Sequence, residues 1–193
     1  QGTFGAYSHL AAVSIDPDAE ILPCKTFDDC FNKASSEAEC KIIIPESNRI
    51  TGNIGIEYLI FKHRLNIYEE HFQKIEHNLL GKPGAKLSDI KEVYSHAQGL
   101  SQCSKFIKDN NITEHIRADT AGSAEMISKT KDIKQAAIAS SLSAKIYGLS
   151  VIKKNIENEN GNLTRFLIMG KNISQPEFGD KKYITSFLFK LKS

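Results

Sequence analysis

The run Ala136-Ala137-Ile138-Ala139-Ser140, followed by Leu142 to Tyr147, Gly148 and Ser150-Val151-Ile152, decides the fold. Residues 136–139 are an apolar run of strand length. Ser140 is a hydroxyl residue where a helix starts, the position at which a side-chain oxygen satisfies free backbone N–H groups. Leu142 to Tyr147 then reads as a short helix, and Gly148 closes it as a C-cap. Ser150-Val151-Ile152 opens the next strand. The same alternation runs upstream. His115-Ile116-Arg117-Ala118 reads as a strand, with Thr120 at the junction to a helix over Ala121 to Ser128. Glu92-Val93-Tyr94 reads as a strand, with Ser95 at the junction to an amphipathic helix marked by Leu100, Cys103, Phe106 and Ile107. Strands alternating with short helices predict a mostly parallel α/β sheet with right-handed crossovers.

The loop Gly81-Lys82-Pro83-Gly84 precedes this unit and separates it from a first one. There, Phe27, Cys30, Phe31 and Ala34 form a helical stripe after Thr26, a good N-cap. Lys41-Ile42-Ile43-Ile44 is an apolar run closed by Pro45, expected to be a buried strand ending in a loop around Gly52. Ile54 to Phe61 suggests a helix, and Leu65 to Phe72 and Ile75 to Leu80 read as extended. Gly2-Thr3-Phe4-Gly5 reads as a tight turn before a helix from Ser8, with Gly5 supplying an unusual backbone angle. At the other end, Ser174 to Asp180 is linker-like, and Phe187, Phe189 and Leu191 alternate with Leu188, Lys190 and Lys192 as in a strand.

Composition narrows the function classes. Of 193 residues, 40% are apolar and 25% charged, and 25 basic against 23 acidic side chains leave a net charge of +2. Such a balance gives no electrostatic case for nucleic acid as a partner. No apolar run is long enough for a membrane span. The four cysteines at 24, 30, 40 and 103 form no CxxC pair and have no His at ligand spacing, so no metal site is expected. Cys30 and Cys103 fall on apolar stripes as reduced core thiols, which suits the cytoplasm. The chain opens at Gln1 without a methionine, so its true beginning is expected to lie upstream. Neither a P-loop, a GxSxG elbow nor an HExxH pair occurs.

In a parallel sheet, Ser95, Thr120 and Ser140 share the edge at the carboxyl ends of the strands, where ligands of open α/β sheets bind. Helix starts there favour anions, although any α/β protein caps its helices this way. His96 could donate to a ligand or cover the helix end. The other five histidines read as surface or packing residues. Asn162-Leu163-Thr164-Arg165-Phe166 precedes the strand-like run Leu167-Ile168-Met169. Alternation puts Thr164 and Phe166 on one side and Arg165 on the other, unless a bulge intervenes. With no carboxylate nearby in sequence, Arg165 either receives an anion, pairs with a distant carboxylate or points to water.

Taken in order, these segments resemble the catalytic domain of prephenate dehydratase over nearly all of residues 1–175. The match runs from Gln1-Gly2-Thr3-Phe4-Gly5-Ala6-Tyr7-Ser8 through the Pro45–Gly52 loop and Ser95-His96-Ala97-Gln98-Gly99-Leu100-Ser101-Gln102-Cys103. It continues through Asp119-Thr120-Ala121-Gly122-Ser123-Ala124 and Ala136–Ser140 to the Thr-Arg-Phe signature at residues 164–166. The resemblance implies an α/β fold with two Rossmann-like lobes around a cleft, similar to type 2 periplasmic binding proteins. One lobe would hold residues 1–73 plus 157–175 and the other 74–156. Residues 176–193 would be a linker and the first strand of a regulatory ACT domain, which Ile184 to Phe189 resemble.

The implied reaction is prephenate to phenylpyruvate, with loss of carbon dioxide and water, in L-phenylalanine biosynthesis. Aromatisation drives it, so no cofactor is implied. Thr164 would hydrogen-bond or protonate the leaving hydroxyl, and Arg165 would neutralise a carboxylate or hold the strand entry. Ser95, His96 and Thr120 would supply donors from the other lobe. The resemblance also places Thr3, Ser8, Asn48, Gln98, Ala121, Asn162 and Phe166 against substrate. L-Phenylalanine would be the allosteric effector of the ACT domain, and the assembly a homodimer or homotetramer. Where the family has Glu-Asn-Ser, this chain has Ser47-Asn48-Arg49, with Glu46 one position early. Ala97 replaces a proline at little cost. Arogenate dehydratase, with the same chemistry on the amino-acid analogue, is the close alternative. A non-catalytic two-lobed ligand-binding module is the distant one.

Overall fold

The computed structural model of the protein describes residues 1–172. The linker and ACT-like strand expected over 176–193, and the last residues of the return segment, lie outside the described residues. Among those described, no helix is long and apolar enough to cross a membrane.

Thr26 starts the helix its stripe predicted. Helix α2 spans Phe27–Ser36, after α1 at Tyr7–Ile15. The Thr26 hydroxyl accepts from Asp29 N, and the Asp29 carboxylate accepts from Thr26 N, a reciprocal cap. Strand β1, Lys41–Asn48, follows and runs straight through Pro45, where a loop was expected. Strand β2, only Gly52–Asn53, pairs at Ser47 and Asn48 and does not reach Pro45. The proline therefore has no ladder donor to withhold on that side. A register shift between Pro45 and Ser47 makes Glu46 the extra residue of a bulge. Helix α3 is Glu57–His63, shorter than expected because Ile54 to Ile56 serve the turn.

Strand β3, Asn66–Lys74, and the return strand β9, Leu163–Gly170, complete the first sheet in the order β2-β1-β9-β3. All of its pairs are antiparallel, since β9 returns between β1 and β3. One face carries Leu167 and Met169 into a core with Cys30, Phe31, Ala34, Ile42, Ile44 and Leu59.

The predicted parallel arrangement is found in the second sheet. Its strands are β4 Asn78–Gly81, β5 Glu92–His96, β6 Thr113–Arg117, β7 Gln135–Ala139 and β8 Ser150–Lys153, in the order β6-β5-β7-β4-β8. β5 pairs in parallel with β6 and β7, while β4 is antiparallel to its neighbours. The expected single helix around Leu100 is two, α4 Ala97–Gln102 and α5 Ser104–Asp109, broken at Cys103. Helices α6, Thr120–Lys129, and α7, Ser141–Tyr147, complete the lobe. Gly148 ends α7 at φ 64°, as a glycine C-cap should.

Alternation along the strands explains the two-sided core. Leu79, Val93, Ala136 and Ile138 pack with Leu100, Cys103 and Ile107 on one face. Leu80, Tyr94, Ala137 and Ala139 pack with Ala124, Ile127 and Ala144 on the other. All four cysteines are free thiols, and Cys30 and Cys103 are buried.

Two strand-to-helix junctions differ from expectation by one residue. Asp119, not Thr120, caps α6 by accepting from Gly122 N at 2.6 Å. His96, not Ser95, caps α4, its Nδ1 accepting from Gln98 N at 3.3 Å. Ser140 caps α7 as read. The N-terminal turn lies against this last junction. Ser140 Oγ and Ser143 Oγ donate to the Gly5 carbonyl at 2.6 and 2.8 Å, and the Tyr147 hydroxyl donates to the Phe4 carbonyl at 2.8 Å. Gly5 holds φ 88°, and a Cβ there would lie 2.6 Å from Ser143 Oγ.

Candidate active site

The chain crosses between the sheets at residues 75–77 and again over 154–162, so β9 enters the first sheet from the crossing. Ile75 N bonds the Asn162 carbonyl and Arg49 N bonds the Leu163 carbonyl, which holds the entry from both sides. Register then sets Asn48 opposite Thr164. Asn48 Oδ1 accepts from Ile50 N and Thr51 N at 3.0 and 3.1 Å, so its amide orientation is fixed by backbone donors. Its Nδ2 therefore donates, to Asn162 Oδ1 at 2.7 Å and to Thr164 Oγ1 at 2.8 Å.

The network continues into the second lobe. Asn162 Nδ2 donates to Gln102 Oε1, at the end of α4, at 3.0 Å. His77 Nε2 lies 2.7 Å from the same oxygen, and His77 Nδ1 lies 2.9 Å from the Tyr7 hydroxyl. Asn162, His77 and Thr164 are 1%, 3% and 6% exposed, while Asn48, Gln102 and Tyr7 are half-buried. Burial holds the His77 imidazole below its ordinary pKa, against the hydrogen bond to Gln102 and the nearby Glu157, which act the other way. Burial pushes Tyr7 well above its ordinary value, helped by Cys103, Glu157 and Glu76. Thr164 Oγ1 accepts from Asn48, so its own proton remains available to another acceptor.

The other predicted residues fall in four places. Arg165 lies on the opposite side of β9 from Thr164, with Nε donating to Glu70 at 2.7 Å and Nη1 to Glu46 at 3.3 Å. It is the distant-carboxylate reading of this arginine that the geometry supports. The bulge aims Glu46 at Arg165, and Ser47 Oγ donates to the same carboxylate at 2.6 Å. Phe166 is buried beside Thr164 on β9. Along the carboxyl edge of the second sheet, Ser95 Oγ donates to the Ile138 carbonyl at 2.7 Å, so its one proton ties β5 to β7. His96 and Gln98 are joined through the cap of α4. Thr120 and buried Ala121 occupy the first turn of α6, and Thr120 Cγ2 would lie 3.6 Å from a Cβ on Gly99.

Thr3 and Ser8 line a cavity of about 640 Å³ with Cys24, Cys30, Tyr68 and Ile168. A second cavity, of about 270 Å³, is lined by Ser47, Asn48, Arg49, Phe72, Leu163 and Arg165. Thr164 and the second-sheet residues line neither of these. The bonds above thus unite Asn48, Asn162 and Thr164 directly, and no hydrogen bond among the described residues joins Ser95, His96, Gln98, Thr120 or Ala121 to Thr164. Tyr7, His77 and Gln102 are members of the network that the reading of side chains overlooked. A signal existed at Glu76-His77-Asn78, three polar residues interrupting the apolar extended run Ile75 to Leu80.

A chloroplastic arogenate dehydratase/prephenate dehydratase from Arabidopsis thaliana is 38% identical over all of this chain, which covers 49% of that protein. The chain thus spans about half the length of the relative. The solved structure of a prephenate dehydratase from Arthrobacter aurescens, in complex with L-Phe, superposes with a TM-score of 0.83 at 24% identity, covering 92% of this chain and 61% of that one. A quorum-quenching acylase structure superposes at 0.84 with 32% identity, covering 93% and 66%. The fold is the two-lobed α/β fold of these proteins, similar to type 2 periplasmic binding proteins. The sequence pattern described as prephenate dehydratase matches residues 1–174, and on that match the chain belongs to the prephenate dehydratase family.

Proposed function

We propose that this chain carries the catalytic lobes of a lyase that converts prephenate to phenylpyruvate in L-phenylalanine biosynthesis. In that reaction the ring carboxylate leaves as carbon dioxide, and the electrons of the broken C–C bond enter the ring. The C–O bond opposite breaks, and the departing hydroxyl takes one proton and leaves as water. The observation that carries the reading is the buried Thr164 hydroxyl. It accepts from Asn48 and keeps its proton for an outside acceptor. A threonine is a weak acid, so it acts by hydrogen-bonding the leaving oxygen and relaying a proton as the C–O bond stretches. His96, whose Nδ1 is taken by the helix cap, keeps Nε2 for a substrate carboxylate. The start of α6 at Thr120 and Ala121 adds donors on the same edge. Ser95 serves by holding β5 and β7 together, and Arg165 by holding the strand entry.

The lobes are residues 1–73 with 157–175, and 74–156, closing on the substrate to exclude water. Arogenate is the second substrate to test, since the Arabidopsis relative carries both activities in its name. We place L-phenylalanine as an effector of an ACT domain entered at residues 176–193, as the phenylalanine-bound relative suggests. The assembly is a homodimer or homotetramer. Free thiols suit the reducing cytoplasm.

The test is phenylpyruvate formation from prephenate and phenylalanine formation from arogenate, by the full-length protein and its Thr164→Ala variant. The variant is expected to lose about 10²- to 10⁴-fold in kcat with prephenate still bound. A wild type without turnover, yet binding prephenate tightly, would make the chain a binding module instead.

A further inference from the structure

We propose that His77 is a positioning residue for this reaction. With its proton on Nε2, it holds the Gln102 amide, which holds the buried Asn162 against Asn48 and so keeps Asn48 and Thr164 in place. The inference rests on the dehydratase reading above.

The direction of every bond follows from one fixed end. Backbone donors Ile50 N and Thr51 N set Asn48 Oδ1 as acceptor, so Asn48 Nδ2 donates to both Asn162 Oδ1 and Thr164 Oγ1. Asn162 must then present Nδ2 to Gln102, whose Oε1 accepts it. The same oxygen faces His77 Nε2 at 2.7 Å, and a carbonyl oxygen can only accept, so Nε2 carries the proton. Burial favours the neutral ring, whose Nδ1 then accepts from the Tyr7 hydroxyl. The Tyr7 proton has a second acceptor in the Glu76 carbonyl at 2.9 Å. The groups that face the ring are Tyr7 from α1, Gln102 from α4 and the Glu157 carboxylate, which accepts from His77 N at 3.0 Å. Glu76 and Cys103 raise the pKa of its neighbour Tyr7.

Without the His77 donor, Gln102 Oε1 keeps a single partner, Asn162 Nδ2. Backbone donors still hold Asn48 Oδ1, so the direction of the Asn48 bonds survives. What is lost is position: a loosened Gln102 lets the Asn162 amide drift from Asn48 Nδ2, and Asn48 and Thr164 drift with it. Fewer molecules then hold the Thr164 hydroxyl in line with the leaving oxygen, so kcat falls rather than KM rising.

His77→Leu and His77→Gln in the full-length protein test this. His77→Leu should lower kcat about 10- to 100-fold with KM little changed, as when a group orienting a reacting partner is removed. His77→Gln, whose amide N–H reaches the place of Nε2, should recover most of the loss. Nitrogen-15 spectra of labelled histidine should show a neutral Nε2–H ring that persists below the ordinary imidazole pKa. Unchanged kcat in a folded His77→Leu beside an active wild type, no recovery in His77→Gln, or an Nδ1–H ring would each overturn the role of His77. A wild type that turns over neither prephenate nor arogenate would overturn the dehydratase reading, and the role with it.

Discussion

Arg165 looked like a free cation because its neighbours in sequence carry no carboxylate. Its partners are Glu70 and Glu46, 95 and 119 residues away, and only strand pairing brings them near. Thr164 was singled out because its signature is local, whereas Gln102 and His77, which the hydrogen bonds link to it through Asn162 and Asn48, lie on segments far away in sequence. The histidines also set a pH dependence. Burial lowers the pKa of His77 and of His9, whose Nδ1 accepts from Gly5 N at 2.9 Å. Below about pH 6.5 the unfolded chain binds protons at these sites that the folded chain refuses, so stability rises with pH across that window. It is full above about 6.5 and is lost as pH falls toward the lowered folded values. Melting temperature should therefore drop between about pH 7 and pH 5, and less steeply in His77→Gln. Glu57 and Glu92, held low by Asn53 and Tyr94, act only in a more acidic range. A melting temperature indifferent to pH would mean that His77 accepts a proton in place.

At the scale of elements, helices announced themselves where a stripe met a cap. Thr26 and Gly148 bound α2 and α7 where the sequence put them. Asp119-Thr120 and Ser95-His96 misled by one position, because each pair offers two residues able to cap and only the backbone decides between them. The strand through Pro45 was illegible for a different reason, since a proline ends most strands and the short β2 that tolerates this one leaves almost no pattern. The bulge at Glu46 then lets β1, β9 and β3 share one ion-paired cluster. Arg165→Met should strand Glu46 and Glu70, each partly buried, at a cost of about 1–3 kcal/mol, between the usual exposed and buried cases. The urea midpoint measures it, and replacing both glutamates by glutamine should return part of the loss.

At the scale of the molecule, the lobes meet through the N-terminal turn as well as through Asn162. Gly5 accepts two serine hydroxyls from the start of α7 and has no room for a side chain. Gly5→Ala combines a left-handed angle with a clash, and should cost about 1–3 kcal/mol and lower the melting temperature. An unchanged melting temperature would show that the turn is free to leave α7. The parallel second sheet was legible because strand–helix alternation ran unbroken through the second unit, and the two-lobed plan came with the family resemblance. The antiparallel first sheet was not, because its central strand lies far along the chain.

That late strand has a consequence for how the protein is made. A ribosome releases the chain from its beginning, and the second sheet, complete by Lys153, has all its strands in hand before β9 emerges. β1 and β3 have been waiting since Asn48 and Lys74 with their inner edges open, because among the described strands β9 alone pairs with both. Their closure is a long-range event of the kind that folds slowly and tempts stray pairing. Thr164 rides on that closing strand, so a nascent chain brings the Thr164 hydroxyl to Asn48 only as this gap in the first sheet is filled.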